Sequence, residues 1–316
     1  MNLLASLRYL VALNEHRHFA RAAEACHITQ PALSNALRAL EKEFGTPIVQ
    51  RGHAYGGLTP EGERVLATAQ RMLREHALLL QELHSSANSP QGSLRLGVVP
   101  TAVPVAARFA ARLQARWPGI HVVLRSMNSQ EIETGLDGLS LDLGLGFTER
   151  LKKRGGKFTA LPQYNEHYFL VRQRAGRRRL APLQLGEPIA WRDAAAVPLC
   201  LLTPDMHNRS VVDAAFAKAG RPVQPVIETN SILTLALSVV AGQVSSVLPG
   251  ALVGAVRSYG GLEALPLVQP EVTTAVGFMT LARAAPSRVL QAALALAVDD
   301  SWASELAVHS GLLATP

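Results

Sequence analysis

Cysteine, aromatic side chains and charge are all scarce in this chain. Its only two thiols, Cys26 and Cys200, lie far apart and form no Cys-x-x-Cys pair. That usage predicts neither a disulfide framework nor a zinc site and fits a reducing cytoplasm. Charged residues make up 17% of the 316 positions against 48% hydrophobic, which excludes a disordered chain and implies large buried cores. The apolar run Leu10–Leu13, flanked by Arg8 and by Asn14-Glu15-His16, is too short for a secretory signal. Thr229–Val256 holds no charged residue and is long enough to span a bilayer. Gln243, Ser245, Ser246, Pro249 and several glycines divide it, so a buried helix, a glycine turn and a short strand are expected instead.

Catalytic signatures are missing too. Gly144-Leu145-Gly146 follows a strand-like run, but Glu149 stands where a dinucleotide fingerprint needs its third glycine. Neither Gly-x-Ser-x-Gly nor His-Glu-x-x-His occurs. Glu15-His16-Arg17-His18 puts its histidines on different helix faces. No catalytic residue, metal ligand or cofactor is expected, and no membrane partner. The net charge of +7 does not mark a DNA-binding end, because residues 1–92 carry nine Lys/Arg against eight Glu. Any case for nucleic acid has to come from the arrangement of individual residues.

That arrangement begins at residue 3. Leu3, Leu7 and Leu10 recur at helical spacing, and a second short helix runs through Phe19–Cys26. After the turn at His27-Ile28, Thr29 is placed to cap a third helix with Pro31 in its first turn, ending at Gly45. Ile48–Arg51 and the glycine-rich Gly52–Leu58 read as a small wing. In a helix-turn-helix the second helix meets base edges in the major groove. Its outward positions here are Thr29, Gln30, Pro31, Ser34, Asn35 and Arg38, and Arg51 lies in the wing. Gln and Asn suit adenine, Ser suits base or phosphate, and Arg suits guanine or phosphate. Thr59-Pro60 then starts a helix running to about Ser85. Val65, Met72 and Leu79 recur every seven residues, as do Leu66, Leu73 and Leu80, with Ala69, His76 and Leu83 between. Such heptads predict pairing with a copy of the same helix.

The polar stretch Ser85–Gly92 is a hinge. Beyond it, strand-like runs at Leu94–Val98, Ile120–Leu124, Leu141–Phe147, Tyr168–Val171, Leu199–Thr203, Val226–Glu228 and Val244–Leu248 alternate with helical stretches. The pattern predicts an α/β fold with a mainly parallel sheet, too long for one sheet and so split into two lobes with a cleft. The expected domains are residues 1–58 (winged helix-turn-helix), 59–88 (linker helix), 89–93 (hinge) and 94–316 (two-lobed α/β domain).

Phe19-x-Arg21-Ala22-Ala23-Glu24, Thr29-Gln30-Pro31-Ala32-Leu33-Ser34, Leu40-Glu41, Phe44-Gly45-x-Pro47, Arg51 and Leu58-Thr59-Pro60-x-Gly62 together resemble the LysR-type transcriptional regulators. Two positions depart from that pattern: Asn35 replaces a usual Arg or Lys, and Ile48-Val49 replace Leu-Phe. The resemblance implies a regulator, not an enzyme, that binds double-stranded operator DNA as a homodimer or homotetramer. It also implies a two-lobed domain like periplasmic binding proteins, crossed twice by the chain, with the first lobe at about 94–162 plus 268–300. The family's effector lies in the cleft at strand ends and helix N-termini, which maps here to Thr101, Ser129, Thr203 and Asn230. Each of those could equally be a plain helix cap. Helix N-termini favour negative charge, so a small anionic metabolite is expected. Thr203-Pro204-Asp205-Met206-His207-Asn208-Arg209 resembles the corresponding stretch in members associated with formate metabolism. A solute-binding protein would share the cleft but not the first 88 residues.

Overall fold

Capping side chains set where the first helices start. The computed structural model describes residues 2–51, 55–85, 89–174, 182–282 and 286–313, in two compact units: Met1–Ser85 with Asp137–Ser140, and Ser86–Leu136 with Leu141–Pro316. In the first unit Asn2 accepts the Ala5 N–H and opens α1 (Leu3–His16), followed by α2 (Phe19–Ala25). Thr29 Oγ1 accepts the Ala32 N–H at 3.4 Å to begin α3 (Gln30–Phe44), and Gly45 ends it at φ +65°. The antiparallel hairpin β1 (Val49–Arg51) and β2 (Tyr55–Leu58) forms the wing. Its tip, 52–54, and the Arg51 side chain lie outside the described residues, as do hinge residues 86–88.

Thr59 starts α4 (Pro60–His84), its hydroxyl accepting Gly62 N–H at 2.9 Å while donating to Pro47 O at 2.7 Å. Only glycine fits at 62, where a Cβ would stand 2.1 Å from the Ile48 carbonyl oxygen. Leu7, Leu10, Leu13, Leu33, Leu37, Leu40, Ile48, Val49 and Leu66 fill the core, each large side chain worth about 1.5–3 kcal/mol. Val49 is thus a fully buried plug despite its small size. The heptad helix divides in two. Val65, Leu66, Ala69 and Leu73 pack into their own unit, whereas Leu79 and Leu83 are 54% and 72% exposed. Leu73 therefore belongs to this core and is no simple seam residue.

The second unit contains, in chain order, β3 (Gly92–Val98), α5 (Val103–Arg116), β4 (Ile120–Ser126), α6 (Ser129–Asp137), β5 (Leu143–Phe147), β6 (Phe158–Gln173), β7 (Gln184–Leu185), β8 (Ile189–Ala190), α7 (Trp191–Ala194), β9 (Leu199–Leu202), α8 (His207–Lys218), β10 (Ile227–Thr229), α9 (Ile232–Val240), β11 (Ser245–Pro249), α10 (Gly250–Ala255), β12 (Leu262–Val268), β13 (Thr273–Leu281), α11 (Arg288–Ala297) and α12 (Asp300–His309). Strands pair in the order β10-β9-β11-β6-β13-β5-β3-β4, with β12 also on β6. β3 lies parallel to β4 and β5, and β9 parallel to β10 and β11. Every pair made by β6, and that of β13 with β5, is antiparallel. The sheet is therefore mixed, because the strands that carry the chain between lobes run against the rest.

β6 serves both lobes. Phe158–His167 pairs with β13, and from Tyr168 onward the strand pairs with β11 and, up to Gln173, with β12. Pro162 is tolerated because the register slips there, Val276 facing Tyr164 and Gly277 facing Pro162. The extra residue, Gln163, turns its amide to Ala297 O and accepts the Trp302 indole N–H at 2.7 Å. The first lobe's core gathers Leu96, Phe109, Leu145, Phe278 and Trp302. The second lobe has two cores, around Trp191 and Phe216 and around Phe169 and Leu248. Gly144 packs against Ile132 and Met279, where a Cβ would come within 2.8 Å of both side chains, so this glycine serves packing. The uncharged stretch 229–256 forms α9, β11 and α10, and no described helix is long and apolar enough to cross a membrane.

Within the first unit Glu41 Oε1 accepts the N–H groups of Ile48 (3.0 Å) and Val49 (3.1 Å), both buried residues. Glu41→Ala leaves those donors without this acceptor and is expected to destabilise the first unit by about 1–3 kcal/mol. Chemical denaturation of the full chain, followed by a probe in the first unit, measures it.

Candidate DNA-binding face and ligand cavity

α3 turns Leu33, Leu37 and Leu40 inward, which leaves its opposite face to solvent. Thr29, Gln30, Pro31, Asn35 and Arg38 are exposed there, and Ser34 is half-buried beside them. Thr29 spends its hydroxyl on the helix cap. Asn35 Oδ1 and Arg38 Nη1 stand 3.5 Å apart as a loose pair, so both can turn to a partner at little cost. The face carries short donors and acceptors, the kind of groups that fit base edges in the major groove.

In the second unit a small cavity opens where strand ends meet helix starts. Val99, Pro100, Thr101, Asn128, Ser129 and Phe147 line it from the first lobe, and Leu202, Met206, His207 and Asn208 from the second. The space open to the centre of a water-sized sphere is about 10 Å³, room for roughly one water or a very small ion. Thr101 is 4% exposed and lies in the 3-10 turn before α5, which has no side-chain cap. Ser129 caps nothing either. Asn128 caps α6 by accepting the Glu131 N–H (2.9 Å), while the Glu131 carboxylate accepts the Asn128 N–H (2.8 Å). Ser129 Oγ is consequently buried without a hydrogen-bond partner. Asn208 Nδ2 is also buried without a bond of ordinary geometry, although its amide acts on the Tyr168 hydroxyl.

The other two sequence candidates fare differently. Thr203 Oγ1 is buried and partnerless at the end of β9, but Thr203 is not among the lining residues. Asn230 is exposed and away from the cavity, and the cap of α9 is Ser231. Arg209 braces the second wall, donating to Leu202 O at 2.8 Å and pairing with Asp213 and Glu228. His207 joins the walls: its Nε2 is 3.2 Å from Glu149 Oε1, and its ring packs edge-on to Phe147 at 4.8 Å.

Known proteins with this two-part arrangement decide the family. Residues 87–301 match the family described as LysR substrate binding domain, and residues 4–63 match "Bacterial regulatory helix-turn-helix protein, lysR family". The chain belongs to the LysR family of regulators. As a LysR-type regulator it is a DNA-binding transcription regulator with an effector-binding domain, and it is not an enzyme. It is 28% identical to the DNA-binding transcriptional dual regulator OxyR of Escherichia coli K12 over 285 residues, 87% of this chain and 88% of OxyR. A probable hydrogen peroxide-inducible genes activator of Streptomyces viridosporus is 38% identical over 169 residues, covering 53% of each chain. Among solved structures, a full-length OxyR variant from Pseudomonas aeruginosa matches with TM-score 0.65 at 25% identity, over 93% of this chain and 96% of that one. CbnR in complex with its target DNA matches with TM-score 0.67 at 20% identity, over 93% and 98%.

Sequence reasoning placed Thr101 and Ser129 on this regulator's cavity but missed Asn128, Phe147, Met206, His207 and Asn208. The Met206-His207-Asn208 signal was visible in the 203–209 motif. Phe147 and Asn128 gave no local sign, since they read as a strand end and a loop.

Gln30→Ala and Ser34→Ala are each expected to weaken specific operator binding by roughly tenfold or more with folding unchanged, since a bidentate base contact is worth about 1–3 kcal/mol. Gel retardation with operator and scrambled DNA at equal salt distinguishes this from general weakening. Wild-type operator affinity in both variants would displace recognition from this face of α3.

Proposed function

We propose that this regulator reads its operator through Gln30, Ser34, Asn35 and Arg38, helped by Thr29, Pro31 and Arg51. A small acceptor-rich ligand, typically an anion, binding beside Thr101 and Ser129 controls it. The observation that carries the effector reading is the buried Ser129 hydroxyl, released from capping by Asn128 and left partnerless on the cavity wall. A buried donor without a partner costs about 1–3 kcal/mol, a cost that a ligand accepting its hydrogen bond recovers. No Lys or Arg lines the cavity among the described residues, so an anion would be held by hydroxyl, amide and helix-end N–H groups. The cavity's size favours ligands of a few heavy atoms. Neither Thr203, at the end of β9, nor Asn230, which faces solvent, is needed to hold that ligand. Closure of the lobes is passed to the DNA-binding unit through Ser85–Gly92.

Several relatives are named for hydrogen peroxide. A thiol response needs an accessible, low-pKa sulfur, and this chain offers none in the cavity. Cys200 is 0% exposed on β9, and Cys26 belongs to the other unit. Burial pushes both thiols up, helped at Cys26 by Glu15. Oligomerisation follows from the second half of α4, where Leu79 and Leu83, four residues apart and each from one of the heptad series, are exposed, and gives a homodimer or a homotetramer.

Formate is the probe that follows from the 203–209 motif. It is expected to raise the melting temperature of the wild type, with Thr101→Val and Ser129→Ala each weakening the effect by about tenfold, the loss of one hydrogen bond to a charged group. Peroxide is expected to leave operator binding unchanged. A peroxide response abolished by Cys200→Ala would reverse the effector assignment.

The double variant Leu79→Lys/Leu83→Lys is expected to sediment as a folded monomer with weakened operator binding. A folded dimer would place the interface elsewhere.

A further inference from the structure

The C-terminal residues join the two lobes a third time, beyond the two crossings made by β6 and the β12–β13 connection. α12 belongs to the first lobe through Trp302 and Leu306, yet Leu313 is 3% exposed in the second lobe's cluster with Phe169, Leu202, Leu248 and Leu252. The passage between them is built around one carboxylate. Glu166 lies on β6 just before the strand exchanges β13 for β11. It is 2% exposed and accepts the N–H of Ala251, at the start of α10, at 3.3 and 3.4 Å, and that of Gly311 at 3.2 Å. Two glycines allow this approach. A Cβ on Gly250 would stand 2.1 Å from Gly311 O and 3.0 Å from Glu166 Oε1, and Gly311 itself has φ +63°.

α12 is complete without the segment beyond it, since Ser310 N–H and Oγ both donate to Leu306 O, at 2.9 and 2.7 Å. Past that point the described residues, 311–313, are held to the second lobe by the Leu313 side chain and to Glu166 by the Gly311 N–H. We propose that Ser310–Leu313 is a detachable strap: fastened at Glu166 it fixes the setting of the two lobes, and released it lets them turn about β6 and the β12–β13 connection.

The charge state of the fastener is linked to its closure. Burial raises the Glu166 carboxyl to about 8, against the opposing N–H bonds of Ala251, Gly311, Gly250 and His167. Tyr164 and Tyr168, on its own strand, are the titratable groups that feel it. α10 and the C-terminal turn face it with backbone amides, and His309 on α12 responds to burial, Arg108, Glu305 and Arg257. Because the closed state raises the pKa, closure binds a proton more tightly than the open state, where the carboxyl meets water. Closure is therefore strongest at low pH, weakens as pH rises toward about 8, and is level above it.

Hydrogen exchange of the full chain between pH 6 and 9, corrected for intrinsic rates, tests the strap. Amides of 250–251 and 311–313 are expected to open together, ahead of those of β6, with opening that rises by up to about tenfold per pH unit below 8. Glu166→Gln is expected to remove that pH dependence. Leu313→Asp is expected to speed exchange in the same amides by about tenfold or more at every pH, while α12 and β6 stay protected. Three results would each overturn the strap: independent opening of 251 and 311, wild-type pH dependence in Glu166→Gln, or collapse of α12 and the second lobe's sheet in Leu313→Asp, which would make Leu313 a core plug.

Discussion

One extended strand has to satisfy the backbone of two sheets at once, and the rest of the effector-binding domain is arranged around that requirement. β6 gives its first ten residues to β13 and its remainder to β11 and β12. Apart from the bulge at Gln163, its ladder runs from one lobe into the other, and its partners change between His167 and Tyr168. The cavity faces this region from both sides, with Phe147 on the strand next to β13 and Leu202 on the strand next to β11. The two walls of the cavity are thereby tied to the same strand.

The cavity's chemistry depends on a division of labour between neighbours. At α6, Asn128 and Glu131 satisfy the helix start reciprocally, and the adjacent Ser129 hydroxyl is left without a partner on the cavity wall. At α9 the order is reversed: Ser231 caps and Asn230 is left in solvent. The two sites read alike as Ser/Asn pairs before a helix, and only tertiary placement separates them.

Local signals were legible wherever one residue decides the backbone. Thr29 with Gly45 bounded α3, Thr59 with Pro60 began α4, and the uncharged 229–256 stretch folded as helix, turn and strand. What escaped was non-local. The strand-like run began only at Tyr168, whereas β6 starts at Phe158 and accommodates Pro162 through the bulge at Gln163. The lower half of α4 carries the same heptads as the upper half, yet Leu73 packs on α1–α3's core because the wing unit lies against it. His207 reads as the first residue of a helix, and its bond to Glu149 depends on the two lobes coming together. Leu313 lies four residues beyond the last helix, with no sequence pattern to show which core it enters.

The near balance of charge in the DNA-binding unit also has a kinetic consequence. Nine cations against eight anions in residues 1–92 leave little general field to hold the protein on arbitrary duplex. Non-specific affinity comes almost wholly from counterions that the DNA releases where Lys or Arg contacts phosphate, so it depends on how many of those nine cations face the duplex and not on the net charge. With so weak a net field, long-range steering of this unit toward the duplex adds little to the encounter rate, and short-range contacts have to supply the binding.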